Sequence, residues 1–105
     1  MGERTAGVAD GDIGQTLEGL AQVIAARRSA SPEESYTARL LRGGEDKLLK
    51  KIVEEAGEVV MAAKDRDHDH IRYELGDLLY HALVLCERYG ITLAELAGEL
   101  DARRR

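Results

Sequence analysis

Apolar residues recur along this chain at spacings of three and four, the signature of helices that each bury one face. Ile13, Leu17, Leu20, Ala21 and Ile24 share such a face and predict a first helix to about Arg28. In the segment SASPEESYTARLLRGG, Ser31 and Glu34 match a capping box with Pro32 at the first helical position, and Gly43-Gly44 ends a short helix. A long helix is expected from about Glu45 to Arg66 on Leu49, Ile52, Val53, Ala56, Val59, Val60 and Ala63, closed by the polar tract DRDHDH. Another follows from about Asp69 to Tyr89 on Ile71, Leu75, Leu78, Leu79, Ala82, Leu83 and Cys86, and Gly90 stops it. Thr92 and Glu95 cap a last helix ending near the terminal arginines. No segment keeps the two-residue alternation of a strand. The expected fold is all-α, a bundle of four to five helices around a central antiparallel helix hairpin. Residues 1–11, rich in Gly and small polar residues, are expected to form a mobile N-terminal tail, and residues 12–105 one all-α domain.

Composition narrows the partners. With no Trp or Phe among 105 residues, Leu, Ile, Val and Ala must fill the core, which suits helices packed at close distance and gives a motive for self-association. A net charge of −5 argues against a nucleic-acid polymer or an anionic membrane as ligand. The start lacks the apolar stretch of a signal peptide, and the longest apolar run, near Leu78 to Cys86, is too short for a bilayer. A single cysteine, Cys86, permits no internal disulfide and points to a reducing compartment, so a cytoplasmic location is expected.

Charge placement changes the picture more. KKIVEEAGEVVMAAK puts Glu54, Glu55 and Glu58 within little more than one turn, where like charges oppose helix formation. Taking the apolar stripe of the long helix as centred near Ile52 and Ala63, Glu55 lies roughly 90° and Glu58 roughly 150° around it. In the next helix, centred near Leu75 and Ala82, Glu74 and Asp77 lie roughly 90° and roughly 150° around in the same rotational sense. If the stripes face each other in an antiparallel hairpin, both pairs reach one flank. A turn near Arg66 then sets Glu58 opposite Glu74 and Glu55 opposite Asp77. Such a cluster repels itself unless a cation neutralises it, and hard oxygen donors favour Mg²⁺, or Mn²⁺, over Zn²⁺. Gly57 and Gly76, on matching levels of the opposite flank, would let the two backbones, or another helix, approach closely. The alternative is a solvated acidic face with ion pairs such as Lys51 to Glu54 or Glu55.

Lys47, Lys50 and Lys51 share the long helix with the acids, and Arg39 and Arg42 lie just upstream; basic groups beside a metal suit a polyphosphate. His81, one turn past Asp77, either touches substrate or hydrogen-bonds within the bundle. Tyr36 either stacks on a ring or joins the core. His68 and His70 are expected in a solvated loop. The E-x-x-H pattern of di-metal bundles is absent, as is H-E-x-x-H.

On these residues, over roughly Leu17 to Arg104, the chain resembles the phosphoribosyl-ATP pyrophosphohydrolases, members of the MazG-like all-α nucleotide pyrophosphatases. The broad match is E-E-x-x-E followed by E-x-x-D, and the narrower one is ESYTARLL, DKLLKKIVEEAGEVVMAAKD and ELGDLLYHALVL. The resemblance implies Mg²⁺-dependent hydrolysis of phosphoribosyl-ATP to phosphoribosyl-AMP and pyrophosphate in histidine biosynthesis. It implies Glu55, Glu58, Glu74 and Asp77 as metal ligands, directly or through water. Glu54 would orient the attacking water or serve as a ligand itself, and Arg39, Lys47, Lys50 and Lys51 would meet phosphate. The competing functions are a related (d)NTP pyrophosphatase and a non-catalytic helical interaction module. A homodimer is expected, because Met61, Tyr80 and Val84 lie away from the hairpin stripes and would be left partly exposed in a monomer.

Overall fold

Residues 4–104 are described by the computed structural model. α1 spans Ile13–Ala26 and runs into a 3₁₀ turn at Arg27–Ser29; α2 spans Tyr36–Arg42, α3 Glu45–Lys64, α4 His68–Tyr89 and α5 Leu93–Arg103. No strand occurs among the described residues, so the all-α expectation holds. No helix among them is long and apolar enough to cross a membrane.

Local chemistry sets the boundaries. Asp12 accepts from the Gln15 amide and starts α1. The second helix starts later than its sequence suggests. Ser31 spends its hydroxyl on Glu33, and the Pro32–Glu34 stretch closes only a single turn. Ser35, in an extended conformation, is the real cap, accepting from the Ala38 amide at 3.1 Å. The fourth helix starts earlier. Asp67 caps it through the His70 amide at 3.1 Å, so His68 and His70 belong to its first turn and not to a loop. Gly90, at φ 72°, reverses the chain after α4 while the Ile91 amide returns to the Cys86 carbonyl at 2.8 Å. Thr92 and Glu95 form the expected reciprocal capping box.

α3 and α4 pair antiparallel along most of their length, joined by a tight turn at Asp65 and Arg66, where Arg66 takes φ 55°. The core sits toward one end of this hairpin, where Ile24 of α1, Leu40 and Leu41 of α2, Leu48 of α3 and Leu83 and Val84 of α4 meet. Val84 is therefore a core residue and not a surface one, and Tyr80 packs half-buried against the same cluster. Residues 4–8 lie against the start of α4. Asp69 accepts from the Arg4 and Thr5 amides and the Thr5 hydroxyl, and Arg72 reaches the Val8 carbonyl.

The hairpin departs from expectation in rotation. On α3 the buried positions are Leu48, Glu55 and Ala62, which centre roughly 60° from the Ile52–Ala63 line toward the acids. On α4 burial reaches Glu74 and His81 on the acidic flank, together with Asp69, Leu83 and Val84, leaving Leu75 and Leu79 more than 40% exposed. The apolar stripes thus do not close on each other. Leu49, Val53, Val60, Met61, Leu75 and Leu79 remain exposed. A Cβ built on Gly57 or Gly76 would meet nothing within 4 Å, so neither glycine serves close packing inside the protomer.

At Gly90 a Cβ also meets only open space, so Gly90→Ala isolates the backbone cost of a left-handed residue. The variant is expected to lose about 1 kcal/mol of unfolding free energy, and Thr92→Ala a similar amount, read as shifted urea midpoints at constant m.

Candidate active site

The hairpin's levels bring the acids together. Glu55 on α3 and Glu74 on α4 are buried, Glu58 is exposed at the rim, and one oxygen of each lies within 4.8 Å of the others. Glu58 pairs with Glu74 and Glu55 with Asp77 across the interface, the register expected from a turn centred on Arg66. Asp77, half-buried, borders Glu55 beside this triad. Glu54 stays exposed, one turn before Glu58 on the solvent side.

One cation partly balances the cluster: Lys51 Nζ lies 3.1 Å from Glu55 Oε1. The other oxygen, Glu55 Oε2, is buried with no hydrogen-bond partner. An orphaned carboxylate oxygen in a protein interior calls for a ligand, and the adjacent carboxylates make a donor set of hard anionic oxygens. The residues present therefore fit a Mg²⁺ or Mn²⁺ ion.

The electrostatics register the same crowding. A hydrogen bond with Glu74, with the charges of Glu55 and Glu74, pushes the Glu58 carboxyl up to about 7. Burial and then the neighbouring Glu55 charge raise Asp77. Burial acts to raise Glu55 as well, but the Lys51 hydrogen bond and charge outweigh it and hold Glu55 below its ordinary value. Lys51 is raised in turn, chiefly by its hydrogen bond to Glu55.

His81 takes the in-bundle option. It is buried, with Nδ1 2.8 Å from the Asp77 carbonyl and Nε2 3.0 Å from the Tyr36 hydroxyl. Thr37 and Tyr80 hydrogen-bond beside it, and the Tyr80 ring stands edge-on to His81 at 5.0 Å. The run Ser35-Tyr36-Thr37 thus caps α2 and bolts it to α4. The Arg39 guanidinium lies 5.7 Å and the Lys47 ammonium 5.9 Å from the Tyr36 ring centroid. Lys50, by contrast, is exposed and makes no hydrogen bond or ion pair among the described residues. A residue missed from the sequence is His70, whose Nε2 lies 3.6 Å from Glu74 Oε2. The signal was there: with Asp67 as cap, His70 and Glu74 stand at i,i+4.

A family model described as phosphoribosyl-ATP pyrophosphohydrolase matches residues 17–104. The chain is 47% identical over 88 residues to a phosphoribosyl-ATP pyrophosphatase of Neisseria gonorrhoeae, covering 84% of this chain and 82% of that protein. It is 50% identical over 88 residues to the protein of the same name from Methylibium petroleiphilum, covering 84% of this chain and 73% of the relative. It also matches the histidine biosynthesis bifunctional protein HisIE of Bacillus subtilis, 48% identical over 84 residues, or 80% of this chain and 40% of that longer protein.

The raised Glu58 carboxyl gives the metal-free chain a pH signature. Its folded-state value of about 7 exceeds the ordinary 4.5, so the folded state holds a proton that the unfolded chain releases. That contribution is complete below about pH 4.5 and is lost as pH rises through about 7. In EDTA, thermal melts should show Tm falling across this window, and Glu58→Gln should flatten the fall and raise Tm at neutral pH.

Proposed function

The chain belongs to the phosphoribosyl-ATP pyrophosphohydrolase family, and on that premise we propose that it hydrolyses phosphoribosyl-ATP to phosphoribosyl-AMP and pyrophosphate in histidine biosynthesis, with Mg²⁺ or Mn²⁺ as the essential ion. The observation that carries this reading is the unpartnered, buried Glu55 Oε2 within a cluster of carboxylates from two helices. Glu55, Glu58, Glu74 and Asp77 hold the ion, directly or through water. When bound, the divalent cation supplies charge neutralisation at the phosphoanhydride and stabilises the departing pyrophosphate.

The remaining work falls to side chains. Glu54, on the solvent side of the cluster, orients the attacking water and accepts its proton as the bond to the α-phosphorus forms. Lys51, held by Glu55, and Lys47 and Arg39, gathered at Tyr36, face the polyphosphate and offset its charge. Lys50 contributes long-range positive charge from its exposed position on α3. Like-charge crowding pushes the Glu58 carboxyl up to about 7, so a cation bound there would compete with a proton for the same oxygens.

The functional unit is a homodimer closed over the bare face of the hairpin. The protomer exposes 7520 Å², against about 5,800 Å² for a folded monomer of 11.5 kDa. The excess of about 1,700 Å² is of the size one protomer contributes to an obligate interface. Leu49, Val53, Val60, Leu75 and Leu79 supply its apolar character, and the open space over Gly57 and Gly76 admits a partner helix.

Glu55→Gln, Glu58→Gln, Glu74→Gln and Asp77→Asn are each expected to lower kcat about 100-fold or more with unchanged far-UV circular dichroism. Pyrophosphate release across a panel of phosphoribosyl-ATP, ATP and dNTPs, with and without Mg²⁺, tests the reaction. Faster turnover of a dNTP, or turnover undiminished in EDTA, would refute it. Light scattering at micromolar concentration should give a dimer mass, and Val53→Glu with Leu79→Glu should shift it to the monomer.

A further inference from the structure

Tyr36 is 37% exposed, yet three groups from three elements converge on it. Its hydroxyl meets His81 of α4 at 3.0 Å, and the Arg39 and Lys47 cations of α2 and α3 lie within 6 Å of its ring. The carbonyl of Asp77 can only accept, so His81 Nδ1 carries the proton at that 2.8 Å contact. In neutral His81, Nε2 is then left as an acceptor, and Tyr36 must donate to it. Burial is the largest of the influences that raise the Tyr36 hydroxyl, which therefore remains a donor at neutral pH.

The two cations pose the question. Neither Arg39 nor Lys47 forms an ion pair with a carboxylate among the described residues; Arg39 gives one N–H to the Pro32 carbonyl at 2.7 Å. Two like charges gathered at one ring repel, and the ring's negative face offsets only part of that. An anion within reach of both would offset the rest. The acid cluster is close by, since the charges of Glu55 and Asp77 act on the Tyr36 hydroxyl.

We propose that Tyr36 is a cation platform that holds Arg39 and Lys47 as a clamp for the phosphate chain of the substrate, and that His81 is a positioning residue that fixes the platform through the Tyr36 hydroxyl. The clamp rests on the pyrophosphohydrolase reading for its substrate and goes beyond it in assigning Tyr36 and His81. The metal cluster engages one end of the polyphosphate and the clamp the other, so losing the ring weakens ground-state binding.

The test uses inorganic tripolyphosphate with Mg²⁺ as the binding probe on the full chain, beside steady-state kinetics with phosphoribosyl-ATP. Tyr36→Leu, which removes the ring, should weaken tripolyphosphate binding about tenfold and raise KM about as much, with kcat changed far less. Tyr36→Phe keeps the ring and loses the anchor, so its effect should be smaller and in the same direction. ¹⁵N NMR of the histidines should show His81 protonated on Nδ1, with the Nε2 resonance shifted in Tyr36→Phe alone among the two nitrogens. Wild-type affinity for tripolyphosphate in both variants would overturn the proposal. So would a loss of kcat at constant KM accompanied by a lower Tm, the mark of a purely structural role. Tripolyphosphate binding that depends on Tyr36 without turnover of phosphoribosyl-ATP would support the clamp and overturn the reaction, so the two fail separately.

Discussion

Mutual repulsion of carboxylates, held in place by the pairing of α3 with α4, is the constraint on which the rest of this structure depends. Three acidic side chains reach within 4.8 Å of one another, and two of the three are buried. Water would ordinarily screen them apart, and the backbone prevents it. The hairpin provides the fixed frame, and α1 and α2, packed at the far end of α4, keep that frame from opening. Lys51 quenches part of the charge and no more, and Glu55 Oε2 stays buried without a hydrogen-bond partner.

The same constraint explains the rotation of the hairpin. An all-apolar contact between α3 and α4 would have placed the acids outward in solvent. Turning each helix toward its acidic flank instead buries Glu55, Glu74 and His81, and leaves Leu75, Leu79, Val53 and Val60 to face outward. Polar chemistry occupies the seam of the protomer, and the apolar surface that would normally fill a seam is available for association. The buried acids and the exposed apolar face are in this sense two results of one rotation.

Helix existence, the hairpin and the facing pairs of acids were legible in the sequence because each rests on period and level alone. Periodicity gives a helix its apolar arc but not the direction in which a neighbour approaches, so the 3.6-residue pattern of Ile52 and Ala63 could not reveal the rotation. The start of α2 was misplaced for a local reason: Ser31 and Ser35 both precede acceptable helical sequence, and Ser31 turned out to be engaged by Glu33. His70 escapes notice because DRDHDH reads as a polar loop, although Asp67 is as good a cap as Asp12. The contacts of Tyr36 with His81, and of Thr5 with Asp69, span 45 and 64 residues and leave no periodic trace.

The turn at Asp65 and Arg66 has a consequence of another kind. Connections between helices are usually where a fold tolerates insertions and deletions best. Here the opposing acids are symmetric about Arg66, so the turn acts as the zero mark of a scale read by every residue pair along the hairpin. One residue added to the helix there would slide α4 by about 1.5 Å and turn it by about 100° against its partner, scattering the carboxylates. The length of this surface turn is therefore as tightly bound to the chemistry as the acids themselves, and length variation among descendants of this chain should accumulate at its ends and around Ala30 to Glu34, leaving residues 65 and 66 untouched.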